Sequence, residues 1–144
     1  MDRTIRTEIV IDAPPERVWT ALTGFGDYGA WNPCIRRIVG KAGSNQVLRI
    51  AIRFGWLPPI RFRARIDRFS RNEILGWRAT FLFGILEGRH CFELYPLDAG
   101  KTRFVHNETF SGALSSPFLA IFSVVIRTSY DAMNRAMKEK VEQK

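Results

Sequence analysis

The sequence predicts an α+β fold in which a curved antiparallel sheet of about seven strands wraps round one long C-terminal helix. Three observations carry this prediction. A β-branched segment and two short helical segments open the chain, a run of alternating apolar and polar residues follows, and a long helical segment with an apolar stripe closes it. The chain has 144 residues, 46% of them hydrophobic, and no internal repeat or linker-like stretch. That length suits one domain with a sizeable core, so we expect a single domain spanning residues 1–144.

The first part of the chain predicts one strand and two short helices. Residues 4–11 are rich in β-branched side chains and favour a strand. Asp12 or Ala13 is expected at the entrance of a helix whose first turn holds a proline pair, since a missing N–H costs nothing there. Gly24 ends this helix, and residues 26–31 favour a second short helical segment.

Alternation of apolar and polar side chains predicts the strands of the sheet. In residues 47–54 and 61–67 inward apolar positions alternate with outward positions that are mostly arginine, which is typical of half-buried antiparallel strands. Segments 73–81, 86–96 and 102–111 continue the meander between turn-forming residues. The arginines that should stand together on the outer face of the sheet are Arg49, Arg53, Arg61, Arg63 and Arg65.

The last predicted element is a helix of more than twenty residues, capped by Ser115 or Ser116, with Pro117 in its first turn. Its apolar stripe, at steps of three and four, consists of Leu119, Phe122, Ile126, Tyr130, Met133 and Met137. The opposite, polar side is expected to hold Arg127, Asp131, Asn134, Arg135 and Lys138. Because Ile121, Val124 and Val125 make the first half apolar nearly all round, we expect that half to make contacts on two sides.

The net charge of +8 is concentrated in one stretch. Residues 36–78 hold eleven cations (ten Arg and Lys41) and two acids, so this stretch carries +9 and the rest of the chain −1. Nucleic acid and anionic membranes therefore enter as candidate partners. The outer face that holds these arginines offers no aromatic side chains for base stacking, so no nucleic acid is expected. A solvated arginine face is favoured, with weak anionic membrane contact through this face and the Trp56-Leu57 tip as the alternative.

Several classes of protein are not favoured. Residues 1–6 lack the apolar centre of a signal peptide, and the longest apolar run, residues 118–126, is about half of a bilayer span. Two cysteines, Cys34 and Cys91, make neither a disulfide framework nor a four-ligand zinc site. We therefore expect a cytoplasmic protein without metal or cofactor, as a monomer or a homodimer.

Three segments carry a resemblance to a known family. They are IVIDAPPERVW at residues 9–19, the segment 25–33 that ends in WNP, and HCFELYP at 90–96 followed by HNETFSG at 106–112. In these segments the chain resembles the SRPBCC or START-like superfamily, whose fold is the helix-grip fold. Residues 40–45 hold only two glycines, so the glycine-rich loop of the plant pathogenesis-related branch is absent. The bacterial polyketide cyclase/dehydrase-like branch is the better match.

The resemblance implies a ligand cavity between the sheet and the long helix. If Pro96 faces Thr102 across the 98–100 turn, His90 faces Glu108 and lies near His106 on the inward side. The same reasoning places Cys91 on the outward side. The residues expected to contact a ligand are Trp31, Phe62, Trp77, Phe81, His90, Phe92, Phe104, His106, Glu108, Phe118, Phe122, Ile126 and Tyr130.

Three functions remain open at this point. The first is binding of a small hydrophobic molecule that is aromatic, polyketide-like or lipid-like. The second is cyclase or dehydrase chemistry in which His90, His106 and Glu108 supply acid–base groups. The third is a peripheral lipid or quinone carrier. A purely structural His–Glu bridge remains the alternative to any of these sites.

Overall fold

The computed structural model describes residues 3–143; residues 1, 2 and 144, the ends of the predicted domain, lie outside the described part. The elements in chain order are β1 (Thr4–Ile11), α1 (Pro15–Thr23), α2 (Tyr28–Trp31), β2 (Ile35–Val39), β3 (Val47–Ile52), β4 (Ile60–Ser70), β5 (Ile74–Phe81), β6 (Leu86–Leu97), β7 (Lys101–Ser111) and α3 (Ser115–Glu142). Short 3₁₀ turns occupy Phe25–Asp27, Leu82–Gly84 and Asp98–Gly100. Strand, short helices, strands and long helix thus follow one another in the predicted order.

The seven strands form one antiparallel sheet in the order β1-β7-β6-β5-β4-β3-β2. This confirms the predicted sheet of seven strands. The register of β6 and β7 is the predicted one, with His90 opposite Glu108 and Pro96 opposite Thr102. The alternation of apolar and polar residues did not predict the short strand β2. A bulge near the start of this strand leaves Arg36 and Arg37 both exposed, which breaks the period of two.

Both helix starts differ from the predicted ones by one or two residues. Helix α1 begins at Pro15, and the N-cap position is held by Pro14 instead of Asp12 or Ala13. Helix α3 has Leu114 at its N-cap, and the Ser115 hydroxyl donates a hydrogen bond to the Gly112 carbonyl. The chain enters α3 through a tight turn whose hydrogen bonds replace a serine cap.

Helix α3 covers the concave face of the sheet. The second half of its predicted stripe is fully buried at Ile126, Tyr130 and Met133. Each such side chain removed from water contributes about 1.5–3 kcal/mol, which holds the helix on the sheet. The first half differs in part from expectation, because Ile121 and Val124 are exposed whereas Val125 packs against the core.

Position 134 is a second correction on α3. Asn134 was expected on the polar side, but it is buried, because it lies one turn after Tyr130 on the same helical face.

The outer face of the sheet carries the predicted arginines. Arg49, Arg53, Arg61, Arg63 and Arg65 are all exposed. Cys91 also belongs to the outer side, yet it is buried there beneath its neighbours, with its thiol near the carboxylate of Glu93. Within residues 3–143, no helix combines the length and the hydropathy needed to cross a bilayer.

Candidate functional site

A cavity of about 320 Å³ lies between the sheet and the first half of α3. Its walls are almost entirely apolar and strongly aromatic, and one end is polar. Its lining consists of Cys34, Ile35, Ile52, Phe54, Ile60, Phe62, Trp77, Phe81, Leu82, Leu86, His90, Glu108, Phe110, Phe118 and Tyr130. Space left between a coiled sheet and the helix that covers it is a common place for an apolar ligand.

Seven of the residues predicted to contact a ligand line this cavity. They are Phe62, Trp77, Phe81, His90, Glu108, Phe118 and Tyr130. The aromatic rings are held by one another, since Phe62 meets Phe81 edge-on with ring centroids 5.2 Å apart and Trp77 stacks on the His90 ring at 5.1 Å. The alternation of side chains along the strands therefore brought together residues from β4, β5, β6 and β7.

Six of the residues predicted to contact a ligand lie outside the cavity lining. Trp31 packs on Tyr28 within α2, and the Phe122 ring contacts the Phe118 ring. The remaining four, Phe92, Phe104, His106 and Ile126, are buried beneath α3 as core and as support for the polar end. Strand parity shows which face a residue occupies, but the position along the strand decides whether the helix covers it.

Glu108, His90 and Tyr130 form the polar end of the cavity. The Tyr130 hydroxyl donates a hydrogen bond to Glu108 Oε1. Nδ1 of His90 lies 3.6 Å from the same carboxylate oxygen, at ion-pair distance. The Glu108 side chain keeps 13% of its surface exposed and His90 keeps 7%, so the carboxylate is the more accessible of the two from the cavity.

A second layer of polar side chains lies behind this end. His90 Nε2 and His106 Nε2 are 2.7 Å apart, and His106 Nδ1 is 2.9 Å from Asn134 Oδ1. Asn134 Nδ2 in turn donates to Thr7 Oγ1 at 2.8 Å, and Thr7 donates to the backbone carbonyl of His106 at 3.2 Å. Residues from β1, β6, β7 and α3 thus form one continuous hydrogen-bonded chain.

The donor and the acceptor of each of these hydrogen bonds follow from the bond between the Thr7 hydroxyl and the His106 carbonyl. Because the Thr7 hydroxyl gives its proton to a carbonyl, it must accept from the Asn134 amide nitrogen. The Asn134 oxygen therefore faces His106, which must carry its proton on Nδ1. Burial and the neighbouring His90 lower the pKa of His106 well below its usual range, so its ring stays neutral and Nε2 accepts from His90 Nε2–H.

The same hydrogen bonds orient the His90 ring, because its Nε2 is engaged by His106 and its Nδ1 is turned toward the Glu108 carboxylate. A proton on His90 Nδ1 would make the 3.6 Å contact with Glu108 Oε1 an ion pair. Tyr130 remains a donor, because burial and the adjacent carboxylate raise its pKa well above the usual value. The site therefore places a carboxylate, an imidazole and a phenol hydroxyl side by side at the edge of an apolar cavity.

No group of three or more metal-ligating side chains suitable for a metal ion is found in residues 3–143. The thiol of Cys34 lies in the cavity wall, and its pKa is raised by burial. A thiol in that state is a poor nucleophile, because the thiolate is the reactive form. The side chains at the polar end can donate and accept hydrogen bonds.

Two residues of this network were not identified from the sequence. Asn134 lies four residues after Tyr130, so the helical step from Tyr130 was a signal that could have found it. Thr7 shares the inward parity of Ile5 and Ile11 on β1, but nothing local distinguishes it from any other strand threonine. It acquires its role only because β1 pairs with β7 opposite His106.

Known proteins that resemble this chain are identified by a family model and by the shapes of solved structures. The family described as "Polyketide cyclase / dehydrase and lipid transport" matches residues 2–142. No curated protein matches the chain significantly.

Solved structures of similar shape include the Zhui aromatase/cyclase from Streptomyces sp. R1128, with a TM-score of 0.79, 18% identity, and coverage of 99% of this chain and 94% of that one. A hypothetical protein from Helicobacter pylori has a TM-score of 0.81 and 15% sequence identity, and the match covers 99% of this chain and 89% of that one. A third structure is a point mutant of norcoclaurine synthase from Thalictrum flavum in complex with a transition-state analogue. Its TM-score is 0.72 at 13% sequence identity, and the match covers 98% of this chain and 94% of that one. At these identities the likeness concerns the fold.

Proposed function

Because the chain belongs to the polyketide cyclase/dehydrase and lipid transport family, we propose that it binds a small aromatic or polyketide-like molecule in the cavity beneath α3. The observation that carries this proposal is the combination of an apolar aromatic cavity with a single polar end. A flat apolar ligand would lie between Phe62, Trp77 and Phe118, and an oxygen of the ligand would meet Glu108. A wholly apolar molecule would offer that carboxylate no hydrogen bond beyond the one from Tyr130, which disfavours such a ligand.

The binding test uses a neutral naphthalene fluorophore as the probe. Ile52→Trp adds an indole ring to the cavity wall, so the affinity for the probe should fall about tenfold or more, equivalent to ~1.4 kcal/mol. Val47→Trp is the matched control, because Val47 lies on the same strand but is exposed and outside the lining. Equal affinities in the two variants would refute binding in the cavity. Native mass spectrometry of the purified protein provides an independent check for a co-purified ligand.

A second candidate function, acid–base catalysis, is favoured by the adjacent Glu108 carboxylate, His90 ring and Tyr130 hydroxyl at the edge of the apolar cavity. In its ionised form, Glu108 can take a proton from a carbon next to a ligand carbonyl and return it to another atom of the same molecule. That step balances without a metal or a redox partner, and it belongs to isomerisation, dehydration and cyclisation reactions.

Deuterium exchange into an aryl β-keto ester, followed by NMR, tests the catalytic proposal. Glu108→Gln should slow the catalysed exchange about a hundredfold and leave probe affinity within about threefold. Glu93→Gln is the control, since Glu93 belongs to the outer side of β6 and hydrogen-bonds to Tyr95 instead. If both variants exchange as fast as the unmodified protein, the site binds without catalysing proton transfer.

A further inference from the structure

Three segments around the mouth of the cavity expose large apolar side chains to water. Trp56 is 82% exposed at the tip of the β3–β4 hairpin, and Phe83 is fully exposed between β5 and β6. Ile121 and Val124 are 73% and 77% exposed on the first half of α3. We call these four residues the apolar rim.

The segments that carry the apolar rim meet at one end of the sheet. A Cβ added to Gly55, in the hairpin, would lie 3.1 Å from the Val125 side chain of α3. The Leu114 N–H at the start of α3 donates to the Ile85 carbonyl at 3.1 Å. The cavity lining reaches both hairpins, through Ile60 and Leu82. The apolar rim therefore lies on the segments that border the end of the cavity lined by Ile60 and Leu82.

The backbone holds Phe83 outward. Leu82 and Phe83 have φ values of 53° and 58°, in the left-handed region that bulky residues rarely adopt. Two consecutive non-glycine residues in this conformation direct the Phe83 ring into solvent instead of onto the adjacent core. Local strain combined with an exposed aromatic ring marks this turn as a contact surface.

A basic surface adjoins the apolar rim. No acidic residue occurs between Asp27 and Asp67, and a groove of about 740 Å³ runs from Pro59 of the hairpin along β2, β3 and β4. Arginines line it, and two of them, Arg49 and Arg63, are directly opposite each other across β3 and β4. Like charges at such positions repel, and no ion pair between these two and an acid is formed within residues 3–143. The groove is therefore complementary to a partner with several negative charges.

We infer that the apolar rim and the arginine groove together dock on an anionic lipid surface, with the cavity mouth facing the membrane. Exposed aromatic and aliphatic tips beside a cationic face are the two features that interfacial binding needs. A second copy of this chain is a poorer occupant, because a symmetric contact would bring two arginine grooves together. Docking in this orientation would let an apolar ligand pass between bilayer and cavity without crossing water.

Co-sedimentation with vesicles tests the inference. We expect binding to vesicles of phosphatidylcholine with phosphatidylglycerol, no binding to phosphatidylcholine alone, and weakening by salt. The Trp56→Ala, Phe83→Ala double variant should lose about tenfold or more in partitioning. Arg61→Gln with Arg63→Gln should lose about fivefold for each arginine.

Matched controls come from the opposite end of the sheet. Leu97→Ala removes an exposed apolar side chain in the β6–β7 hairpin, and Arg71→Gln removes a cation between β4 and β5; both should bind vesicles like the unmodified protein. Absence of binding to anionic vesicles, or equal loss in controls and rim variants, would overturn the inference. A dimer in vesicle-free solution that Trp56→Ala with Phe83→Ala dissociates would assign the surface to a second copy instead. Binding of the naphthalene probe without vesicles is measured separately, so failure of docking is distinguishable from failure of ligand binding.

Discussion

Replacement of Asn134 by leucine tests the hydrogen-bonded chain that fixes the histidines. The substitution keeps the side-chain size but removes the bonds of 2.9 Å to His106 and 2.8 Å to Thr7. The lost bond to Thr7 contributes about 1 kcal/mol, and an unpaired buried N–H on His106 costs about 1–3 kcal/mol. The free energy of unfolding should therefore fall by about 2–4 kcal/mol, which lowers the Tm by roughly 6–12 °C for a chain of this length.

Urea unfolding measures this loss, with Arg135→Leu as the control. Arg135 is the exposed neighbour on α3, so its replacement should change stability by less than about 0.5 kcal/mol. Nitrogen chemical shifts of the His106 ring report its tautomer, which a loss of stability alone would not change. The Nδ1–H form should dominate in the unmodified protein, and the variant should lose that preference. If Asn134→Leu is as stable as the control and the tautomer does not change, the assignment of the hydrogen-bond directions is wrong.

Three further outcomes are expected. Because the pKa of His106 is lowered in the folded protein, the unfolded chain binds one more proton than the folded protein below about pH 6.5. The free energy of unfolding should therefore fall by up to about 1.4 kcal/mol per pH unit as the pH is lowered from about 6.5 to 5. His106→Asn should flatten that slope in urea titrations. Gly88→Ala places a Cβ 2.6 Å from Glu108 Oε2, so it should displace the carboxylate and slow the catalysed deuterium exchange several-fold. Gly26→Ala, with no atom within 4 Å of its added Cβ, should leave the exchange rate unchanged. Cys34 should react slowly with iodoacetamide, because burial raises the pKa of its thiol. The reaction should be slower still when the probe is bound, because Cys34 lies in the cavity wall. Rapid alkylation that the probe does not affect would contradict that position.

The strand pairing that builds the site was predictable from local patterns. Side chains alternate with a strict period of two, and the turn at residues 98–100 sets which positions face each other. His90 opposite Glu108 followed from these two facts alone. Tyr130 followed in the same way, from the three- and four-residue steps of the α3 stripe.

The support behind that pair was not predictable in this way. Thr7 and Asn134 are 127 positions apart, and each looks like an ordinary polar residue of its element. They meet because β1 pairs with β7 at the sheet edge while α3 crosses that same corner. Contacts between elements depend on how the helix lies across the sheet, and no local pattern encodes that angle.

The sequence by itself determined the α+β class, the antiparallel meander, the outward arginines and the inward His–Glu pair, because each depends on periodicity within a strand, a helix or a hairpin. Only the tertiary structure decided where the cavity ends and which aromatic residues are core. It also decided that the first half of α3 leaves Ile121 and Val124 in water beside Trp56 and Phe83. The physical reason is that burial is a property of how whole elements pack against one another. A residue's own pattern fixes the direction it faces, and the packing fixes what it meets there.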